Sequence, residues 1–248
     1  MIMTVRGEKY FGRDIMVLKS LAEELDIHII ASTGCFAAGN DKHIPKIYYE
    51  KTEKEIAEMW IREWKEGIEA SNVKPGIIKI AVDSGPLSSI DKKIVSSACI
   101  TSLETGLTIA CHTGEKECAL EVFTVIKKYK LNPSKLILVH ADNIEDREVI
   151  FSLAEKGCFI EFDWIGLKDI NNHVELILES ISRGYISQIL LSQDAGQYYV
   201  GFKDGNRKKF RPYSYIDKYL IPELKKKIDD KDIYIMQVMN PRRALAIE

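Results

Sequence analysis

Short apolar runs alternate along this chain with longer stretches whose apolar positions recur every three or four residues, the signature of parallel β/α units. Six runs read as strands, over 28–33 (HIIAST), 77–82 (IIKIAV), 107–112 (LTIACH), 136–140 (LILVH), 158–163 (CFIEFD) and 188–193 (QILLSQ). Between them the helical period returns. Ile15, Leu18, Ala22 and Leu25 form one stripe, opened by Arg13 and Asp14 after Gly12. Thr52 and Glu55 have capping-box spacing ahead of a second stripe, Ile56, Trp60, Trp64 and Ile68, which suits packing on a sheet and makes the tryptophans core residues. Further helices fit 90–105, 117–129, 145–156, 172–183 and 213–227, the last ending in the charged run KKKIDDKD, read as a solvated helix end. A final helix is expected after Asn240 and Pro241, since proline suits a first turn.

No low-complexity linker or break in composition divides the 248 residues, so 1–248 reads as one domain. Hydrophobic residues at 46% and charged residues at 29% exclude disorder and a coiled coil. The balance of 35 basic against 37 acidic residues, a net charge of -2, offers no basic field for a nucleic acid backbone. No apolar run approaches the ~20 residues of a membrane span. The opening MIMTVRGEKYFGRD lacks a signal peptide's apolar core, and a cytoplasmic protein with no membrane partner is expected. The five cysteines, Cys35, Cys99, Cys111, Cys118 and Cys158, form no CxxC pair and mostly sit in apolar surroundings. They read as reduced core thiols rather than a disulfide or zinc framework.

In a parallel β/α fold the loops leaving the carboxyl ends of the strands build the active site. Four polar residues stand there or inside the apolar runs: Lys79 in GIIKIAVDSGP, His112 in IACHTGE, His140 in ILVHADN and Asp194 in LLSQDAGQYY. Each comes from a different strand, so a barrel would bring them to one axial site. A single histidine reads as a satisfied core residue, but four polar groups at equivalent places each need a buried partner. Two imidazoles, a carboxylate and a lysine make a nitrogen and oxygen donor set of the zinc type. Lysine is a poor ligand as an ammonium, whereas a desolvated lysine carbamylated by carbon dioxide is an anionic oxygen donor. Two other readings of Lys79 stay open: a buried lysine paired to a carboxylate, and the Schiff-base lysine of a metal-free lyase.

The segments GRDIMVLKSLAEELDIHIIASTG, GIIKIAVDSGP, ETGLTIACHTG, LILVHADN, ILLSQDAGQYY and MNPRRALAI resemble, in order and over nearly the whole chain, the phosphotriesterase-like metal-dependent hydrolases of the amidohydrolase superfamily. The resemblance implies a (β/α)8 TIM barrel in which a carbamylated lysine bridges two divalent metals, usually zinc. It implies Lys79 as that lysine and His112 and His140 as the histidines on the more exposed metal. Asp194 matches the carboxylate that binds the more buried metal and takes the proton of the attacking hydroxide. The implied substrates are small-molecule lactones, carboxylic esters or organophosphate triesters.

The chain also departs from that pattern. The family's first strand ends in a His-x-His pair that binds the buried metal, and no His-x-His occurs here. The resemblance places Met1 near the end of the family's second strand, so the barrel is expected to be incomplete, with the first strand and most of the second missing. Missing strands leave open edges, and the expectation is either closure through a partner subunit, as in a homo-oligomer, or marginal stability. Lys79, His112 and His140 still offer three donors to one catalytic zinc, with the buried position poorly held. Asp142 and Asp163 are candidates for orienting a ligand or contacting substrate. Tyr198, with Tyr199 and Phe202, is a candidate pocket wall. Arg211 closes the basic segment 203–211, which suits an anionic substrate or a solvated loop. The AGQYY that follows the aspartate replaces the arginines of phosphosugar lactonases, against a phosphate-specific substrate. The alternative function is a catalytically impaired barrel remnant that serves as a binding or structural protein.

Overall fold

The computed structural model describes residues 2–4, 9, 12–195, 201–205 and 211–247. Six strands run parallel and in chain order in one sheet: β3 (Ser32–Phe36), β4 (Ile77–Ala81), β5 (Ile109–His112), β6 (Leu136–Val139), β7 (Phe159–Phe162) and β8 (Ile189–Leu191). Two short strands, β1 (Ile2–Thr4) and β2 (His28–Ile30), pair in parallel as a separate ribbon. This corrects the reading of 28–33 as one strand: the chain changes sheets at Ala31. The polar Ser32 and Thr33 look like a strand end, yet they lie buried in β3. Their polar groups are satisfied from within, because Arg13 donates to the Ser32 carbonyl and the Thr33 hydroxyl to Glu63.

Seven helices longer than one turn alternate with these strands. They are α1 (Ile15–Leu25), α2 (Lys46–Glu50), α3 (Glu53–Glu66), α4 (Ser89–Thr105), α5 (Lys116–Lys128), α6 (Arg147–Glu155) and α7 (Ile170–Ser182). The start signals read for α1 and α3 hold: Asp14 caps α1 through the Val17 amide and Thr52 with Glu55 closes a capping box on α3, while Ser88 with Asp91 closes another on α4 that the sequence reading passed over. The short α2, absent from the sequence reading, opens at Pro45, and Lys93 donates to the carbonyls of Tyr48, Tyr49 and Lys51 at its end. Ile68 lies beyond α3 but is fully buried. Toward the C-terminus the chain forms α8 (Ile221–Leu224), α9 (Asp230–Tyr234) and α10 (Asn240–Ala244). The charged run therefore joins two helices instead of ending one. Among the described residues no helix is long and apolar enough to cross a membrane.

The period of two along each strand divides the core into two layers. Ile78, Ile80, Cys111, Leu138 and Ile160 face outward and pack with Ile56, Trp60, Ile94 and Val122 from the helices. Ile77, Ala110, Ile137, Val139, Phe159 and Leu190 face inward and make an apolar interior, joined by Ala244 of α10. Asn240 fixes α10 there by donating to the carbonyls of Ile186 and Ile189. The five cysteines are free and buried. Burial pushes the thiols of Cys99 and Cys158 up to about 12 and that of Cys118 to about 11, which leaves them inert.

Gly34 is where β3 and β4 approach most closely. It lies opposite Lys79 at φ 128°, and a Cβ there would sit 1.9 Å from the Lys79 carbonyl oxygen. A side chain would meet backbone, which cannot swing aside, in a conformation that favours glycine. Gly34→Ala is expected to cost about 3 kcal/mol or more, read as a lower urea midpoint with an unchanged slope. Unaltered stability would show that β3 does not hold this register.

Candidate metal centre

Strand register sets the height of each inward side chain. Lys79 lies level with Ala110, Ile137 and Phe159, at the apolar floor. Its long side chain, buried, rises from there. His112 lies one layer higher, opposite Ala81 and Val139. His140 follows β6 directly, buried, with a left-handed backbone at φ 63°. That turn sets the two imidazoles edge to face, their centroids 4.4 Å apart and their planes 84° apart.

Asp163, at the end of β7, holds the outer histidine. Its Oδ1 lies 2.6 Å from His140 Nδ1, and both side chains are buried. An ionised carboxylate only accepts, so Nδ1 carries a proton, and loss of the Nε2 proton makes that nitrogen the donor toward a cation. Phe36 packs edge-on against His112 with centroids 5.5 Å apart, and Trp164 lies 6.1 Å from His140. These rings flank the imidazoles on two sides. Asp194 stands three residues beyond β8 with φ 40°.

Two residues expected to meet substrate are engaged with protein. Asp142 is buried, and its Oδ2 accepts from the Trp164 amide at 2.9 Å and meets His173 Nε2 at 2.8 Å. Arg211 donates through Nη2 to the carbonyls of Gln193 and Asp194 at 2.6 and 2.5 Å. Both turn toward buried acceptors or donors that would otherwise lack partners. Asp163 likewise faces His140. Tyr198 and Tyr199 lie outside the described residues, as do 206–210 of the basic segment, and Phe202 is exposed.

The sequence reading passed over Glu161, Trp164 and His173. Glu161 carried a usable signal: it is the one charge inside an apolar strand and sits two residues before Asp163, hence on the same inward face. Burial, and then the Asp163 carboxylate, push its pKa up from 4.5 to about 7, against the opposing pull of Lys79, His140 and a bond from Ser192. Lys79 and His140 are therefore both within electrostatic reach of one carboxylate.

The donor chemistry fits one divalent cation. Two imidazoles stand side by side, one oriented by a carboxylate through its far nitrogen. Among the described residues no three His, Cys, Asp or Glu side chains group to hold a metal, so the imidazole pair supplies two donors and a further one would come from another group.

Between pH 4.5 and about 7 folded Glu161 keeps a proton that the unfolded chain has released. Its contribution to stability is thus present at low pH and is lost as pH rises through that window. Glu161→Gln escapes this loss. In metal-free protein the variant should gain on the parent by about 2–3 kcal/mol from pH 4.5 to 7.5, measured by urea unfolding at a series of pH values. A pH-independent difference would contradict the burial of this charge.

A profile of the Phosphotriesterase family matches residues 2–245. The chain is 29% identical over 255 residues to an N-acetyltaurine hydrolase of Dictyostelium discoideum, covering 96% of this chain and 67% of that protein. It is 28% identical to an aryldialkylphosphatase of Saccharolobus solfataricus, covering 77% of this chain and 60% of that protein. This chain thus spans about two thirds of the length of such relatives. Among solved structures, the Escherichia coli phosphotriesterase homology protein, complexed with phosphate in its active site, superposes with a TM-score of 0.87 at 21% identity, over 97% of this chain and 82% of that one. A Listeria monocytogenes lactonase gives the same TM-score and identity over 100% of this chain and 82% of its own. The parallel sheet is that of a phosphotriesterase-like TIM barrel, and the chain belongs to the phosphotriesterase family.

Proposed function

We propose that this chain hydrolyses small-molecule esters, lactones or phosphotriesters, with one divalent cation, zinc by the character of its donors, held by His112, His140 and carbamylated Lys79. The phosphotriesterase family is one of metal-dependent hydrolases. The observation that carries the reading is the close His112 and His140 pair with Asp163 fixing the proton on Nδ1, an arrangement that orients imidazole as a donor. When bound, a divalent cation supplies Lewis acidity for activating water and polarising the substrate.

The chain's own residues do the rest. Asp194 takes the proton released by the attacking water. Phe36 and Trp164 wall the imidazoles against bulk solvent, and the apolar floor from Ile77 to Leu190 keeps the dielectric low. Arg211 is anchored through Nη2 on the Gln193 and Asp194 carbonyls and so braces the chain beside Asp194. A second reading, an inert barrel that binds without turnover, draws on the lack of a three-residue His, Cys, Asp or Glu grouping among the described residues.

Metal analysis decides between the two. Protein purified without chelator and with bicarbonate should carry about one zinc per chain and turn over an aryl ester, a lactone, a phosphotriester or an acylated taurine in a screen of all four. Chelator should abolish turnover and zinc restore it, while His112→Ala should lose zinc. Protein without metal or turnover under these conditions would favour the inert barrel, and two tightly bound ions per chain would overturn the single-cation site.

A further inference from the structure

The groups around His140 form a closed ring that extends well beyond its contact with Asp163. Asp163 is followed directly by Trp164, whose amide donates to Asp142 Oδ2 at 2.9 Å. Asp142 in turn lies two residues after His140. The loop after β6 therefore grips the loop after β7 through Asp142, and the loop after β7 grips β6's histidine through Asp163. His173, in the first turns of α7, meets the same Asp142 oxygen at 2.8 Å, with both side chains at most 2% exposed. Lys168 ties the loop from above, donating to the Asp142 carbonyl and to Asn143 Oδ1 and lying over the Trp164 ring. Asn143 extends the ring to β5 by donating to the Gly114 carbonyl.

We propose that His173 and Asp142 are positioning residues that aim the His140 imidazole at the barrel axis. The inference rests on the reading of His140 as a cation ligand. A carboxylate buried this deeply needs its donors, and among the described residues the side chain that meets the Asp142 carboxylate is His173. Without His173, Asp142 is expected to turn toward solvent, release the Trp164 amide and let Asp163 drift. His140 holds a left-handed backbone that most residues avoid, so it depends on such outside contacts to stay in place.

The test uses the full-length chain with His173→Phe, which keeps ring volume but removes the donor, and His173→Gln, which keeps a donor. Two quantities are read: the nitrogen-edited NMR signal of the His140 Nδ1 proton in metal-free protein, and zinc affinity by competition with a chromophoric chelator at fixed bicarbonate. His173→Phe should shift or broaden the His140 signal and weaken zinc binding about 10–100-fold, and His173→Gln should recover most of both. A folded His173→Phe chain with an unchanged His140 signal and affinity within twofold of the parent would overturn the proposal. If His173→Phe does not fold, Asp142→Asn keeps the shape and removes the charge, and the same two readouts with the same thresholds apply. Failure of the underlying function is distinguishable: a parent chain that binds no zinc overturns the cation reading, while the metal-free NMR signal still tests the positioning.

Discussion

A parallel sheet covered on both faces sends every second side chain into an interior that water barely reaches, and every polar group placed there has to be answered by another. The lower part of this interior is answered cheaply, by Ile77, Ala110, Ile137, Phe159 and Leu190 against one another. The upper part holds Lys79, His112, Glu161 and, at the strand ends, His140 and Asp163. These groups cannot be placed independently. A carboxylate near the lysine is stabilised by it, and a second carboxylate two residues along the same strand is destabilised by the first. The site's geometry is thus a settlement among charges that the register of β4, β5 and β7 forces into one small volume.

The same rule operates outside the barrel, with less tension. Arg13 is buried with its guanidinium against the Ser32 carbonyl, both oxygens of Glu63 and one of Glu69. Glu63 also accepts from Thr33. The cluster lets a polar strand, Ser32 to Gly34, run through a buried position beside β4. Removing one partner from a buried pair of this kind leaves a charge without an answer. Lys79 is reached from this direction too, since Gly34 is the residue across from it. An arginine that looks in sequence like the start of a helix is therefore part of what seats the lysine of the candidate site.

Much of this could be read from the sequence, for a definite reason. Wherever a strand is covered on both sides it is written in nearly unbroken apolar residues, and a lysine or histidine inside such a run stands out. Lys79, His112 and His140 were visible in this way, and Glu161 carried the same mark inside CFIEFD. The break at Ala31 carried no mark, because a change of sheet needs no change of composition when buried polar side chains find partners 30 or more residues away. The helix α2 is five residues long, too short to show a period. His173 sits in a helix stripe where a histidine reads as core, and only the three-dimensional approach of Asp142 gives it a role. Asp142 and Arg211 show the converse. Asp142, next to a strand end, and Arg211, closing a basic segment, read as candidates for a ligand or substrate, and in the fold both also bond buried backbone groups.

Charge counting carries the argument one step further. As an ammonium, Lys79 partly offsets the charge of Asp163 on Glu161. Carbamylation, which the proposed function requires, reverses that sign. The lysine's positive charge becomes a negative one in the same low-dielectric space, close to Glu161 and Asp163. Such an arrangement is strongly unfavourable on its own, because like charges at short range cannot all stay ionised away from water. A divalent cation relieves it directly. On this reading, carbamate formation and cation uptake are a single coupled event: each state of the lysine is stable only with its matching counter-charge. The two carboxylates on and just after β7 then differ in kind, Asp163 bonded to His140 Nδ1 and Glu161 held toward its protonated form by burial and by Asp163 in the metal-free chain.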